Sequence, residues 1–464
     1  MSLSDEYLYE GLTLEQWRTR ADLALTKQWS YAKTSHAYYE GDHPLPFVPR
    51  EHRHAFRHLL KQCRSNWCEL IVDAVAERMT VVGFRFGDEA ADHTAWTLWQ
   101  ANDLDADAEL AITDALSDGL SYMLVQPDES SPVGVTITGE HASECVVLYR
   151  PGRRRERMAG YKRFYDVGTS SGTAVLQLPD VIATWDLVAG GTNWGRPDIA
   201  TNPLGEVSMV AIRPQPRTVG PPRSELMGTG VISIQDRINT TIYNRLVATD
   251  FAAFRQIWAT GLPLRKAPDG KADTQKPPFD VGADRLLVSE DPNTKFGVID
   301  ESTLSGYIRA VEEDVQHLAA ITRTPPHYLL GRMVNVSGDA LKAAETGLVA
   351  KVKRRAGHVG EDLEEVMRLA LSVVGTPESV NVISAETVWA DFESRSEGQT
   401  VDALVKMRTL GVPLEVLWQR WGASPQQVTE WKAMAQEEKS WAPPLPLIPG
   451  QPALPAPPMP GGSA

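Results

Sequence analysis

The chain has 464 residues, 42% hydrophobic and 23% charged, enough for several packed modules and a sizeable core. Its 60 acidic against 46 basic residues give a formal charge of −14, which argues against a protein that grips DNA over its whole surface by neutralising phosphates. The longest apolar runs, such as 369–374, fall far short of the roughly 18–20 residues of a membrane span, and the polar, acidic start at Met1 resembles neither a signal nor a transit peptide.

The protein is therefore expected to stay in the compartment where it is made. Its three cysteines, Cys63, Cys68 and Cys145, suit a reducing cytoplasm rather than a disulfide framework.

Residues 12–80 read as helical. Leu14, Trp17, Ala21 and Leu25 recur at helical spacing on one face. Gly41-Asp42-His43-Pro44 interrupts the pattern, and Trp67, Ile71, Val75 and Met79 form a second stripe. A strand candidate at 81–86 and a helical stretch with Trp96, Trp99 and Leu104 follow. From 120 to 212 the period becomes that of an antiparallel sheet, with strand candidates at 120–125, 133–138, 145–149, 161–165, 173–178 and 181–187. The Gly/Asn/Pro-rich stretch 190–203 reads as a long loop, and 213–222 as a proline-studded linker.

Ile234, Ile238, Ile242 and Leu246 are each four apart, and Val247, Phe251, Phe254 and Trp258 continue the stripe. An unbroken helix over 231–258 would be roughly 42 Å long. Residues 262–302 form a compact insert with strand candidates near Leu286 and Phe296. A second helix carries Leu304, Ile308, Val311, Val315 and Leu318 and ends at Thr324-Pro325-Pro326. The irregular stretch 331–338 then opens onto a third long helix capped by Asp339, with Leu341, Leu348, Val352, Val359, Leu363, Val366 and Val373 on its apolar face. Residues 385–440 read as helical again, broken at Gly411-Val-Pro413, with Ser424-Pro425 opening the last helix. The stretch 441–464 carries nine prolines and too little apolar content to fold.

Several short motifs have a chemical and a structural reading. Gly168-Thr-Ser-Ser-Gly172 matches a hydrolase elbow around Ser170, but β-prone residues follow it where the elbow needs a helix, so a hairpin turn is expected. His52, His54 and His58 near Cys63 and Cys68 lack the paired spacing of a zinc site. Arg150-Pro-Gly-Arg-Arg-Arg-Glu-Arg157 reads as a solvated hairpin tip, with a subunit or phosphate contact as the alternative. Lys351-Val-Lys-Arg-Arg355 reads as an ion-pairing patch for a neighbouring subunit, or else as channel lining. Asp300, Glu301, Glu312, Glu313 and Asp314 read as an acidic face rather than a metal cluster. No phosphate-binding loop, dinucleotide fingerprint or His-Glu-x-x-His motif is present, so no ATP hydrolysis, cofactor or metal is expected.

The order of elements, and the stretches Tyr38-Tyr-Glu-Gly-Asp42, 66–78 beginning Asn66-Trp67, Asp236-Arg-Ile-Asn239, Trp258-Ala-Thr-Gly261, Thr324-Pro-Pro326, Val336-Ser-Gly-Asp-Ala340 and Trp389-Ala-Asp391, resemble the portal proteins of tailed bacteriophages, in particular siphophages of actinobacteria. The resemblance spans about residues 12–440. It implies an α+β portal fold assembled as a cyclic ring, usually of twelve subunits, in the virion at one capsid vertex and built in the host bacterial cytoplasm. Residues 1–230 would form a wing, 231–261 and 303–326 two stem helices, and 262–302 a clip. Residues 327–338 would form a tunnel loop, 339–384 a long wing helix, 385–440 a crown and 441–464 a disordered tail.

Double-stranded DNA would pass through without sequence recognition, past Arg332, Met333, Val334, Asn335, Val336 and Ser337. Lys271, Lys276, Asp284 and Arg285 of the clip would meet the terminase large subunit and the head–tail adaptor. The major capsid protein and scaffold would surround the ring, with no membrane partner. Another head–tail connector or minor capsid ring protein is the alternative, and a serine hydrolase a remote one. The acidic balance and a single arginine in the loop suit a conduit that lets DNA slide.

Overall fold

The computed structural model describes residues 8–48, 57–86, 89–165, 171–187, 194–228, 230–253, 257–260, 293–298, 304–331, 338–375, 385–393, 397–423 and 425–441. One compact unit runs through Glu393, and a second begins at Ser394.

In the first unit, the short pair β1 (Leu8–Tyr9) and β2 (Leu12–Thr13) leads into α1 (Leu14–Tyr39). The Thr13 hydroxyl accepts from the Gln16 amide while the Gln16 side chain accepts from the Thr13 amide, a reciprocal cap that fixes where the helix starts. After α1 come α2 (Arg57–Gln62), α3 (Trp67–Ala76), β3 (Val81–Arg85), α4 (Glu89–Ala101) and α5 (Leu104–Asp118).

Eight strands follow: β4 (Ser121–Pro127), β5 (Val135–Glu140), β6 (Cys145–Arg150), β7 (Arg153–Tyr165), β8 (Gly172–Gln177), β9 (Val181–Leu187), β10 (Asp198–Thr201) and β11 (Met209–Ile212). They form a five-stranded sheet in the order β10-β9-β8-β7-β6 and a three-stranded sheet in the order β11-β4-β5. All their pairings are antiparallel. The predicted stripe of α1 is buried: Leu14, Trp17, Ala21 and Leu25 pack with Tyr161, Leu176 and Trp185 of the larger sheet. A separate cluster, with Tyr122, Leu124, Val147 and Met209, joins residues of both sheets.

The stretch expected as a loop over 190–203 contains β10, whose residues pair with 181–184 of β9. Ile199 is the one side chain of β10 that packs on the core, too little apolar signal for a strand to stand out in sequence.

The second half of this unit is mainly helical. It comprises α6 (Val231–Ala253), the antiparallel pair β12 (Ile257–Thr260) and β13 (Lys295–Val298), α7 (Ser305–Thr322), α8 (Pro326–Leu330), α9 (Gly338–Val374) and β14 (Glu386–Trp389). The predicted helix over 231–258 is shorter than expected: it ends by Ala253, and Trp258 sits in β12 opposite Gly297. Phe296 is in a strand as expected, whereas Leu286 lies outside the described residues.

The apolar face of α9 is as predicted wherever it is described. Leu348, Val352, Val359, Leu363 and Val366 are fully buried in the largest core cluster. Residues 385–440 are not helical throughout. At their start, β14 pairs antiparallel with β3, about three hundred residues earlier, and the Ala390 amide extends the ladder to the Thr80 carbonyl. The Thr387 hydroxyl donates to the Gly360 carbonyl at 3.1 Å. A Cβ on Gly360 would stand 3.4 Å from Trp389 Nε1, so the glycine in mid-helix permits this close approach of strand to helix.

The second unit contains α10 (Glu397–Thr409), α11 (Leu414–Trp421) and α12 (Pro425–Trp441). Gly411, at φ +88°, makes the predicted break. Trp418 and Trp421 pack against Trp431 with ring centroids 5.7 and 5.9 Å apart, joining the last two helices. Among the described residues, no helix is long and apolar enough to cross a membrane. The tail beyond Trp441 lies outside the described residues.

Candidate functional site

α6 and α7 pack side by side as an antiparallel hairpin, with β12 and β13 paired beyond the end of α6 and the start of α7. Burial is confined to one end of it. On α6 the buried positions are Val231, Gln235, Ile238, Asn239, Ile242 and Tyr243, and none of 244–250 is buried. On α7 nothing from 304 to 313 is buried, whereas Asp314, Val315, Leu318, Ala319 and Thr322 are. The rest of the hairpin keeps apolar side chains partly in water: Leu246, Val247 and Val311 are half-buried, and Ile308 is 42% exposed. Arg237 Nη2, 2.5 Å from Asp314 Oδ1, bridges the two helices near the buried end.

The buried end is held by a polar cluster inside the apolar stripe. Gln235 Oε1 accepts from the Trp67 amide at 3.1 Å, and its Nε2 donates to the Ser65 carbonyl at 2.5 Å and to Asn239 Oδ1 at 3.1 Å. The Ser65 amide donates to Asn239 Oδ1 at 3.2 Å, and Asn239 Nδ2 lies 3.1 Å from His43 Nδ1. His43 Nε2 is 3.2 Å from the Tyr38 carbonyl and 3.4 Å from Asn66 Oδ1. Asn66 caps α3 and donates to the Tyr39 carbonyl at 2.7 Å, and the Tyr38 hydroxyl donates to Asp236 Oδ1 at 2.6 Å. The end of α1, the start of α3 and the first turns of α6 are thereby joined through satisfied hydrogen bonds, the condition under which a buried polar network specifies one packing.

His43 sits in this cluster as a neutral ring, accepting from Asn239 on Nδ1 and donating from Nε2. Burial pushes its pKa below the ordinary value; the nearby Arg64 also lowers it, while the Tyr38 carbonyl, Asn66 and Asp236 act the other way. A histidine whose folded pKa is depressed contributes stability above its unfolded pKa of about 6.5, lost as pH falls through that value toward the folded pKa. We expect the melting temperature of the wild type to fall towards that of His43→Gln as the pH is lowered from about 7.5 to 5. A gap that widened on acidification would contradict the neutral assignment.

A second junction joins the elements on either side of 332–337, which lie outside the described residues. Arg78, just beyond α3, donates from Nη2 to the Tyr328 hydroxyl at 2.7 Å and from Nη1 to the Phe392 carbonyl at 2.8 Å. Its Nη2 also lies 3.4 Å from Glu345 Oε2. The Tyr328 hydroxyl is in turn 3.4 Å from Glu345 Oε1. One guanidinium thus pins α8 on one side of 332–337 and α9 on the other. Gly331 closes α8 with φ +63°, a left-handed cap that favours glycine.

The residues singled out from sequence fall as follows. Arg332, Met333, Val334, Asn335, Val336 and Ser337 lie outside the described residues, as do Lys271, Lys276, Asp284 and Arg285. Lys351 and Arg355 do not form a free patch. Lys351 is buried, donates to the Thr322 carbonyl at 2.9 Å and stands 3.6 Å from Glu225, while Arg355 Nε donates to Glu225 Oε1 at 2.6 Å. Charges this deep are retained because they meet a carboxylate within the same chain. Of the acidic face, Asp314 is buried and paired with Arg237.

The arginines of 150–157 flank the β6–β7 turn, as a hairpin tip should, but they are not simply solvated. Arg150 pairs with Glu10 and Glu156, and Arg157 with Glu206 and Glu365. Ser170 lies outside the described residues, but Tyr165 pairs with Gly172 and β8 follows, a strand where the elbow needs a helix. Cys63 and Cys68 belong to the apolar core, where burial pushes the Cys68 thiol up to about 12, and His58 faces Asp250 at 3.6 Å.

Sequence reading missed Gln235, His43, Ser65 and Arg78. Gln235 and Asn239, one helical turn apart within an otherwise apolar stripe, were the available signal. Several stretches that carried the resemblance converge here: 38–42, 66–78 and 236–239 meet at the hairpin root, and Arg78 reaches Tyr328 and Phe392 beside the Thr324 and Trp389 stretches.

The family model described as phage portal protein, SPP1 Gp6-like, matches residues 24–440. The chain belongs to this family. Portal proteins are structural components of virions. The portal protein of Mycobacterium phage L5 is 29% identical over 440 residues, covering 89% of this chain and 87% of its own length. That of Mycobacterium phage D29 is 29% identical over 410 residues, covering 82% of each. Both relatives come from mycobacteriophages, in agreement with the actinobacterial character of the sequence. Among solved structures, a chain from the virion of a native gene transfer agent particle aligns over 82% of this chain and 91% of its own, at 14% identity and a TM-score of 0.41. A chain from the neck of an empty gene transfer agent particle aligns over 82% and 95%, at 12% identity and a TM-score of 0.38.

Proposed function

We propose that the α6–α7 hairpin is the stem of a portal subunit, and that copies pack stem against stem into a closed ring, usually of twelve subunits in this family, around a DNA channel. The observation that carries this reading is the one-sided burial of the hairpin. Its root is locked by the Gln235–Asn239–His43 cluster, while Leu246, Val247 and Val311 are only half-buried and Ile308 is exposed within one chain. A heterologous interface that closes on itself covers such a stripe in every subunit alike.

In this reading 1–230 is the wing, 262–302 the clip, 339–384 the long wing helix and 385–440 the crown. Clip residues Lys271, Lys276, Asp284 and Arg285 contact terminase and adaptor. Of the 327–338 segment expected as the tunnel loop, residues up to Leu330 belong to α8, and 332–337 form the loop, with its flanks fixed by Arg78. The ring assembles in the host cytoplasm, within the capsid and scaffold. The chain's formal charge of −14 supports passage rather than capture, since each phosphate contact repeated around a ring would add to a salt-dependent grip.

Deleting 332–337 tests the loop assignment. Rings should still form, because the hairpin root and the Arg78 contacts lie outside the deletion, but DNA packaging or retention should be impaired. Particles filled with genome at the wild-type level would overturn the assignment.

A further inference from the structure

We propose that His36, Asp118 and His141 form a binding site for a divalent transition metal ion, best suited to zinc, in the N-terminal half of the chain. The three residues come from α1, from the C-terminal end of α5 and from the turn between β5 and β6, so sequence spacing gives no hint of them. Their donor atoms lie within 4.8 Å of one another. Asp118 is central, its side chain fully buried, with Oδ1 3.4 Å from His36 Nδ1 and Oδ2 3.0 Å from His141 Nε2.

Both are His–carboxylate pairs whose geometry is poorly aligned for hydrogen bonding. His36 Nδ1, Asp118 Oδ2 and His141 Nε2 are each buried without a hydrogen-bond partner, although they point at one another. Buried polar atoms are nearly always satisfied, and three that converge without an aligned hydrogen bond suit an ion held between them. Donors held about 2.0–2.1 Å from a tetrahedral zinc ion stand roughly 3.3 Å apart, close to the 3.0 Å between His141 Nε2 and Asp118 Oδ2.

The surroundings fit an ion. Ser117 Oγ donates to Asp118 Oδ1 at 3.0 Å, orienting the carboxylate and leaving Oδ2 free. Ser143 Oγ lies 2.8 Å from His141 Nδ1, so the ring can place its proton there and turn a bare Nε2 to the metal, the outer-shell contact that metal-bound histidines require. The Ser143 amide donates to the same nitrogen at 3.2 Å, so without an ion the ring proton sits on Nε2, and metal binding requires it to move to Nδ1. Trp29 stands edge-on to both imidazoles, with centroids 5.4 and 5.3 Å away, and walls one side. The His36 and His141 side chains are 32% and 25% exposed, which leaves a path from solvent and a fourth position for water. The ion would tie α1 and α5 to the β5–β6 turn, a role for which no motif prepared the expectation of a metal-free chain.

The test is cobalt substitution in the purified full-length protein. Co2+ should bind one per chain with the intense visible bands of a four-coordinate ion, and Zn2+ should displace it. Asp118→Asn and, independently, His141→Gln should abolish the bands and weaken Zn2+ binding by about a hundred-fold or more. Zn2+ should raise the melting temperature of the wild type but not of either variant. A wild-type spectrum no different from aqueous Co2+ would overturn the proposal without recourse to any variant. Bands that survive both substitutions would do so as well, by placing the ion elsewhere.

Discussion

Replacing Asn239 with leucine is expected to destabilise the chain by about 3 kcal/mol, measured by urea denaturation. The change is nearly isosteric, so volume is not the cause. Leucine leaves the Ser65 amide without its acceptor, Gln235 Nε2 with one of its two, and His43 Nδ1 without its donor. Each buried group stripped of its partner costs about 1–3 kcal/mol, partly recovered by relaxation.

Asn239→Asp separates the roles. It keeps the acceptor for Ser65 and Gln235 but presents a carboxylate to His43, which then needs a proton on Nδ1. The aspartate variant should therefore be damaged at pH 8 and partly rescued towards pH 5, the reverse of the wild-type trend. A flat profile would mean that His43 and residue 239 are not coupled.

The second large effect is expected at Arg78. Arg78→Ala should cost about 2 kcal/mol, because hydrogen bonds involving a charged group are worth more than neutral ones and Glu345 loses a partly buried counter-charge. The change should also be local. With α8 and α9 no longer pinned to α3, trypsin should cleave after Arg332 faster than in the wild type at equal global stability. Arg78→Lys should recover less than half of the loss, since an ammonium keeps the charge but cannot reach the Tyr328 hydroxyl and the Phe392 carbonyl as a fork. Cleavage unchanged in Arg78→Ala would show that the loop's flanks are held by something else.

Much of the fold was legible because its signals are local. The stripe of α1 repeats at helical spacing over a few turns, and β4 to β9 each carry a short run rich in Val, Ile, Thr or Tyr between turn residues. β7 nonetheless starts at Arg153, well before the predicted 161, because its arginine-rich first half gives no such signal. The same reliance on local period misplaced the end of α6. Phe254 and Trp258 continue a four-residue rhythm, yet Trp258 belongs to a strand because its partner, Gly297, is forty residues away. β14 was invisible for the same reason, since it exists by pairing with β3 across most of the chain.

The candidate site divides similarly. Helix order and collinear stretches brought out the family, whereas Gln235, His43 and Arg78 act through contacts between segments that no window of sequence contains. Lys351 and Arg355 misled in the opposite way. A run of cations reads as surface, but Glu225, far along the chain, neutralises it inside the fold.

The central claim is that this chain closes into a ring through its stem helices. Negative-stain microscopy with native mass spectrometry of the purified protein tests it most directly. The account predicts closed rings with a central channel and one dominant subunit number, with assembly weakened by Ile308→Glu on the uncovered stripe. A chain that stays monomeric under all assembly conditions, or rings indifferent to a charge at Ile308, would contradict it.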